Sequence, residues 1–302
     1  MQNYRHITRE DKIIDIVNHE AFKGFGRYIF PLDNRNISNS MKLKDVDLLL
    51  PYHNNINLSE IENAINHMID KVSAGNKIFY DIYTEKEKNQ DPTKIDTGIF
   101  FFKGKVGAPF AIICPGGGFS YIGAIHEGFP LAIELSKKGY NAFVIKYRVG
   151  YFQNSEFEAC RDLSRAISYI YENAKVFEVD RKNYSLWGGS AGARMAADIG
   201  TYGVEIFGES KLPKPCTVIM QYTGHQDYCI YDPPTFAVVG TNDTIANPLA
   251  MKRRIQNLKN CGIDAKINIY RNLRHGFGLG TGTNAEGWVD DAVDFWNLHM
   301  EN

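Results

Sequence analysis

Apolar and polar positions follow two different periods along this chain, and the change between them divides it. The pattern is weakest over residues 1–75. Residues 12–22 read as one amphipathic helix and LSEIENAINHMIDKV (58–72) as a stronger one, with Ile61, Ala64, Ile65, Met68 and Ile69 sharing a face and Asn57 or Ser59 placed to cap it. Between them GFGRYIFPLDNRN is an aromatic stretch without a period. This region is expected to be an N-terminal extension (1–75) packed on a main domain at 76–302. From residue 77 strands take over. KIFYDIY (77–83) and GIFFFKG (98–104) read as a pair, joined by the polar EKEKNQDPTKIDT, and PFAIICPGG is an apolar run that ends in glycines. A helix (128–140), a strand (141–148), a long amphipathic helix (156–177) and a short buried strand (184–187) come next. The remainder reads as a helix from 191, strands at 216–223 and 234–243, a helix near 247–261, a strand at 264–272 and a last helix over roughly 285–299.

Continuous apolar strands that alternate with helices imply a mainly parallel sheet covered on both faces. The pair at its front would make it mixed. The stretch NYSLWGGSAGAR sits where the fifth strand meets a helix, and Gly188-Gly189-Ser190-Ala191-Gly192 matches G-x-S-x-G. A serine at the tip of a tight strand-to-helix turn needs small neighbours, because residues two positions away nearly touch. A phosphate cradle at a helix N-terminus is the other reading of such a turn. The expected class is α/β: about eight strands with helices on both faces and the serine turn after the fifth, as in the α/β-hydrolase fold.

A serine nucleophile needs a base, a group that orients the base, and donors for the oxyanion. In that fold the partners follow in the order serine, acid, histidine. Asp243 ends the strand FAVVGTND, whereas Asp227, Asp232 and Asp264 lie elsewhere; capping the helix near Asn247 is its alternative role. His275 stands in the glycine-rich loop NLRHGFGLG directly after the last strand, and His299 falls at the end of the terminal helix. The oxyanion donors are expected from Ala191 and from PGGGF (115–119), with Gly117 and Gly118 the candidates there.

Composition narrows the field further. At 302 residues, with 44% hydrophobic and 23% charged positions, the chain has the makeup of an ordinary globular protein. A formal net charge of −1 gives no reason to expect nucleic acid as a partner. No apolar run suits a membrane span, and the charged N-terminus lacks a signal-peptide core. The five cysteines are scattered without a C-x-x-C pair, which fits reduced thiols and a cytoplasmic setting. No metal-ligand cluster, dinucleotide fingerprint or P-loop is present, so neither metal nor cofactor is expected, and the nucleophile reading of Ser190 makes a small-molecule ester the expected partner. The oligomeric state is not legible.

AIICPGGGFSYIGAIHEGFPLAIELSKKGYNAFVIKYRVG, the GGSAG turn, TNDTIAN and RHGFGLG together resemble the acetyl-esterase branch of the α/β-hydrolases, which includes acetylxylan esterases. The resemblance spans roughly residues 95–300 and implies a triad of Ser190, Asp243 and His275 with oxyanion glycines in PGGGF. Pro115 stands where many relatives carry histidine, Thr244-Ile245-Ala246-Asn247 replaces a frequent Val-Pro, and the N-terminal extension falls outside the common pattern. The expected activity is hydrolysis of short acyl esters, acetyl above all, with sugars among the candidate alcohols. An amide hydrolase of the same fold (an aryl formamidase or a peptidase) and a silent binding protein are the alternatives. Residues 224–232 are too few for a helical cap, so the walls should come from the extension and from FSYIG, with Phe119 and Tyr121 narrowing the acyl side.

Overall fold

A computed structural model describes residues 3–33, 35–150 and 154–301. Its eight strands are β1 (Phe79–Tyr80), β2 (Gly98–Phe102), β3 (Pro109–Cys114), β4 (Asn141–Lys146), β5 (Asp180–Gly189), β6 (Thr217–Gln221), β7 (Thr235–Gly240) and β8 (Ala265–Tyr270). They form one sheet in the order β1-β2-β4-β3-β5-β6-β7-β8. β2 runs antiparallel to both neighbours, and every pairing from β4 across to β8 is parallel. β4, β6 and β7 are buried along their whole length, which is why they read as unbroken apolar runs. β8 is the edge, and there Lys266 and Ile269 reach solvent.

Three expectations change in detail. β1 shrinks to two residues because the chain leaves the sheet after Tyr80, and Tyr83 turns inward so that its hydroxyl donates to Asp162 at 2.7 Å. The polar connection after it holds a helix, Glu85–Gln90, started by a capping box in which Thr84 and Glu87 satisfy each other's backbone amides. Residues 12–22 are not one helix. A five-residue helix (Ile13–Val17) ends, His19 takes an extended conformation and caps Ala21 N–H, and a single 3₁₀ turn (Glu20–Phe22) follows.

The N-terminal residues share the main core. The helix Leu58–Ser73 buries the five apolar side chains of its predicted face, and Asn57 caps it by accepting from Ser59 and Glu60. Phe25 stacks on Phe79 at 5.5 Å and meets Phe100 edge-on at 6.0 Å, so this segment covers the front of the sheet. Among the described residues no helix is long and apolar enough to cross a membrane.

The turn that closes β5 is set by contact between backbones. A Cβ on Gly188 would lie 2.3 Å from the carbonyl oxygen of Gly192, and one on Gly192 would lie 1.8 Å from that of Cys114. Only glycine lets the helix Ala191–Tyr202 start this close to β3 and β5. Gly192→Ala should therefore lower the unfolding midpoint, by a loss on the order of 3 kcal/mol through overpacking. Denaturant titration beside wild type measures it, and an unchanged midpoint would contradict the packing described.

Candidate active site

Ser190 holds φ +52° and ψ −115°, a backbone conformation rare for any residue with a side chain. The turn stands at the C-terminal edge of β5 and lifts the hydroxyl toward the loops that leave β3, β7 and β8. The loop after β8 delivers His275, whose Nε2 lies 2.9 Å from Ser190 Oγ. The loop after β7 delivers Asp243, whose Oδ2 lies 2.7 Å from His275 Nδ1. The imidazole and the carboxylate are both buried, and Ser190 is half-exposed. Asp243 accepting at Nδ1 assigns the hydrogen there and leaves the Nε2 lone pair facing the hydroxyl.

Asp243 is fixed from its other side as well. Oδ1 accepts from the amides of Ile245 at 2.9 Å and Ala246 at 2.7 Å. The cap of the next helix is Asn247, not Asp243. Two of the competing carboxylates are engaged elsewhere: Asp232 with Arg254 at 2.7 Å, and Asp264 with His299 at 3.0 Å.

The glycine loop after β3 faces the same point. Gly117 (φ +141°) and Gly118 (φ +62°) take conformations that favour glycine, and a Cβ on Gly117 would sit 2.0 Å from Tyr121 O. The amides of Gly117, Gly118 and Ala191 donate to no other described residue; Ala191 directly follows the serine, and the two glycines directly follow Gly116, where a Cβ would lie 2.8 Å from Ser190 Cβ. The amide of Gly116 is taken by Glu127. Phe119 is half-buried at φ +57°, beside Tyr147. Tyr121 lies elsewhere than expected: it is fully buried, its hydroxyl accepts from Tyr52 N–H at 3.1 Å, and it lies 3.0 Å from His53 Nδ1. It anchors the N-terminal segment behind the loop and forms no wall of the acyl site.

A cluster absent from the sequence reading backs this site. Ala124–Gly128 forms a π-helical turn, a geometry that often marks function, and it carries His126 and Glu127 inward. The fully buried Glu127 receives the amide of Gly116, the hydroxyl of Tyr222 at 2.5 Å, and His53 Nε2 at 3.2 Å. Burial alone would raise the Glu127 pKa, but the charge of His53 and these hydrogen bonds outweigh it and bring it down to about 2. Its folded pKa lies below the ordinary 4.5, so its contribution to stability is complete at neutral pH and fades as the pH falls toward about 2. Burial, then the charge of His53, pushes His126 down to about 4. The signal available in the sequence was one carboxylate inside the apolar run AIHEGFPLAI. His53 and Tyr222 had no comparable mark.

The strand order, the serine turn and the loops carrying the other two groups define the class: this is an α/β-hydrolase fold. Residues 102–222 match the family described as BD-FAE. The chain is similar to an acetylxylan esterase of Xylanibacter ruminicola, 22% identical over 55% of this chain and 40% of that protein, so it spans well under half of that relative. Among solved structures it superposes on an acetyl ester-xyloside bifunctional hydrolase from Caldicellulosiruptor lactoaceticus with a TM-score of 0.63 and 19% identity, covering 73% of this chain and 95% of the other. A carboxylesterase from Lactobacillus plantarum superposes with a TM-score of 0.59 and 19% identity, covering 68% and 95%.

Two outcomes follow for the His275–Asp243 pair. Asp243→Asn should cut kcat by about 10⁴-fold, because an amide facing Nδ1 favours the wrong imidazole tautomer. Steady-state kinetics on a chromogenic acetyl ester measures this, and a loss of the same size from Asp227→Asn or Asp232→Asn instead would move the acid role. Activity should also be higher at about pH 8 than at about pH 5, because an imidazole accepts the Ser190 proton only in its neutral form and neither Glu127 nor His126 changes charge over that range. A flat profile over that range, with chemistry rate-limiting, would exclude His275 as the base.

Proposed function

We propose that the protein is a serine carboxylesterase acting on short-chain acyl esters, with acetyl the preferred acyl group and a sugar the favoured alcohol. One observation carries the reading: Ser190 Oγ, His275 and Asp243 stand in hydrogen-bonded sequence at the tip of a strained turn. His275 Nε2 takes the hydroxyl proton as Oγ bonds to the ester carbonyl carbon. The carbonyl oxygen becomes an oxyanion and is met by the amides of Ala191 and of Gly117 or Gly118. The C–O bond to the alcohol then breaks, and the imidazolium returns its proton to the leaving oxygen. Water repeats the sequence on the acyl-enzyme, with His275 again the base, and releases the acid and free Ser190.

Several features support a small acyl group. No helix lies between β6 and β7 among the described residues, so no helical cap of the kind that shelters long chains stands there. Phe119 borders the glycine loop, and the exposed ring of Tyr52 packs against Gly118. Similarity to an acetylxylan esterase, and a fold shared with an acetyl ester-xyloside hydrolase, support an acetylated sugar as the substrate class.

Ser190→Ala should lower kcat by about 10⁶-fold with the fold intact. A fluorophosphonate probe should label wild type on Ser190 and leave the variant unlabelled; retained burst kinetics in the variant would remove the nucleophile. Across p-nitrophenyl esters from acetyl to decanoyl, kcat/KM should fall beyond the shortest chains, and an apolar acyl site would instead add roughly 1–3 kcal/mol per methylene. A steady rise with chain length would overturn the short-acyl reading, and faster turnover of matched anilides than of esters would overturn the ester.

A further inference from the structure

The N-terminal segment reaches the loops around the site through residues 52–54, and the side chain it sends deepest is His53. Asn54 N–H donates to Gly276 O at 3.0 Å and Asn54 Nδ2 donates to His275 O at 2.9 Å, so residues 52–54 are laced to the histidine loop. A Cβ on Gly276 would lie 2.7 Å from the Cα of His53. His53 is thereby fixed between that loop and Glu127.

Glu127 touches each part of the machinery. One oxygen, Oε1, receives the amide of Gly116, directly before the two oxyanion glycines, together with His53 Nε2. The other, Oε2, receives the Tyr222 hydroxyl, and the Tyr222 ring packs 4.9 Å from the His275 ring. Gly116 itself is pressed to the serine turn: a Cβ there would be 2.8 Å from Ser190 Cβ and 2.6 Å from Gly189 O. Tyr222 is held at φ +35°, a strained conformation at the end of β6.

The proton balance of this carboxylate decides whether it can grip. Gly116 N–H and Tyr222 O–H are donors, so both oxygens must accept, and Glu127 must stay ionised where water does not reach it. Burying a carboxylate without a partner costs several kcal/mol, and the usual escape is protonation. A protonated Glu127 would turn one acceptor into a donor: on Oε1 the proton would face the Gly116 amide, and on Oε2 it would reverse the Tyr222 bond and leave Gly116 a neutral, weaker acceptor. Among the described residues no lysine or arginine bonds to Glu127; the ionisable groups around it are His53, Tyr222, and beyond them His126, Tyr121 and Tyr147. An ionised Glu127 can only accept, so the His53 nitrogen facing it, Nε2, carries a hydrogen, while Tyr121 Oη stands at Nδ1.

We propose that His53 is a positioning residue of the active centre: its Nε2–H bond to Glu127 keeps that buried carboxylate able to hold Gly116, and with it the oxyanion loop, against the serine turn. This rests on the esterase reading. His53 touches no reacting atom and acts through Glu127 and Gly116. A catalytic centre on the main domain is therefore completed by a side chain from residues 1–75.

The test compares two variants that fill the imidazole's space and differ in the donor. His53→Leu supplies no hydrogen bond, and His53→Gln places an amide N–H where Nε2 was. With melting temperatures matched to wild type, His53→Leu should lose roughly 10–100-fold in kcat with KM within about threefold, the signature of an interaction made in the transition state. His53→Gln should recover to within about fivefold of wild type. The pH–rate limb should keep its position in both, since the Asp243–His275 pair is untouched. Wild-type kcat in a folded His53→Leu overturns the proposal, and so does a His53→Gln as impaired as the leucine variant. Should His53→Leu not fold, His53→Gln still decides: a folded glutamine variant more than about 30-fold slower than wild type overturns the proposal. Fluorophosphonate labelling separates the levels. No labelling of wild type at Ser190 overturns the esterase reading and this inference with it, whereas equal labelling rates in wild type and His53→Leu overturn only the role of His53.

Discussion

The contact on which the rest depends is the approach of one backbone to another at the serine turn. Gly192 sits so near Cys114 O, and Gly188 so near Gly192 O, that neither position has room for a methyl group. That approach drives Ser190 into its strained, positive-φ conformation and aims the hydroxyl out of the sheet edge. Such a conformation persists only where its surroundings over-determine it. Here β3 and β6, which flank β5 in the centre of the sheet, supply the constraint, and Ser190 N–H closes it by donating to Gln221 O at 3.0 Å.

Around that fixed point the other groups are brought by loops, and the loops are held by short polar contacts. Asp243 is gripped through Oδ1 by two amides, so its Oδ2 presents to His275 in one orientation. The glycine loop lacks side chains of its own to hold it. It is gripped from behind by Glu127, and the π-turn that carries Glu127 spends a residue of helical regularity to point it inward. A buried ionised group is a poor source of net stability, but it fixes geometry well, because each of its acceptors demands a donor in one place.

The N-terminal residues act on both levels. Their aromatic side chains cover the front of the sheet, and Tyr52, His53 and Asn54 reach the glycine loop after β3 and the histidine loop after β8. A segment that contributes to the core and to the site at once ties the integrity of the site to the folding of the whole chain. The similarity to the BD-FAE family begins only at residue 102, so this contribution is a feature of the present chain beyond the matched region.

The order of strands and helices was legible because buried parallel strands must be continuously apolar and their crossover helices amphipathic, as in β4, β6 and the helix Ser155–Glu172. Ser190, Asp243 and His275 were legible because each stands at a strand's C-terminal end, an address that periodicity reveals. Where local polar chemistry decides, the pattern misled: Thr84 and Glu87 start a helix with no apolar face, and His19 breaks one that the spacing extends. Glu127 left one mark, a carboxylate inside an apolar run, and neither it nor His53 or Tyr222 could be assigned a partner from the sequence. Their partners are 74 or more residues away along the chain in His53–Glu127 and 95 in Glu127–Tyr222, and no local period encodes a hydrogen bond across such a separation. Tyr121 shows the same limit, since its place in sequence beside the glycine loop suggested a wall and its hydroxyl is claimed from the other side by Tyr52 and His53. The sequence by itself determined the elements and the strand-end addresses of Ser190, Asp243 and His275, through periodicity and steric need. The tertiary structure alone decided which buried charges meet, because that depends on where the finished sheet brings distant loops together.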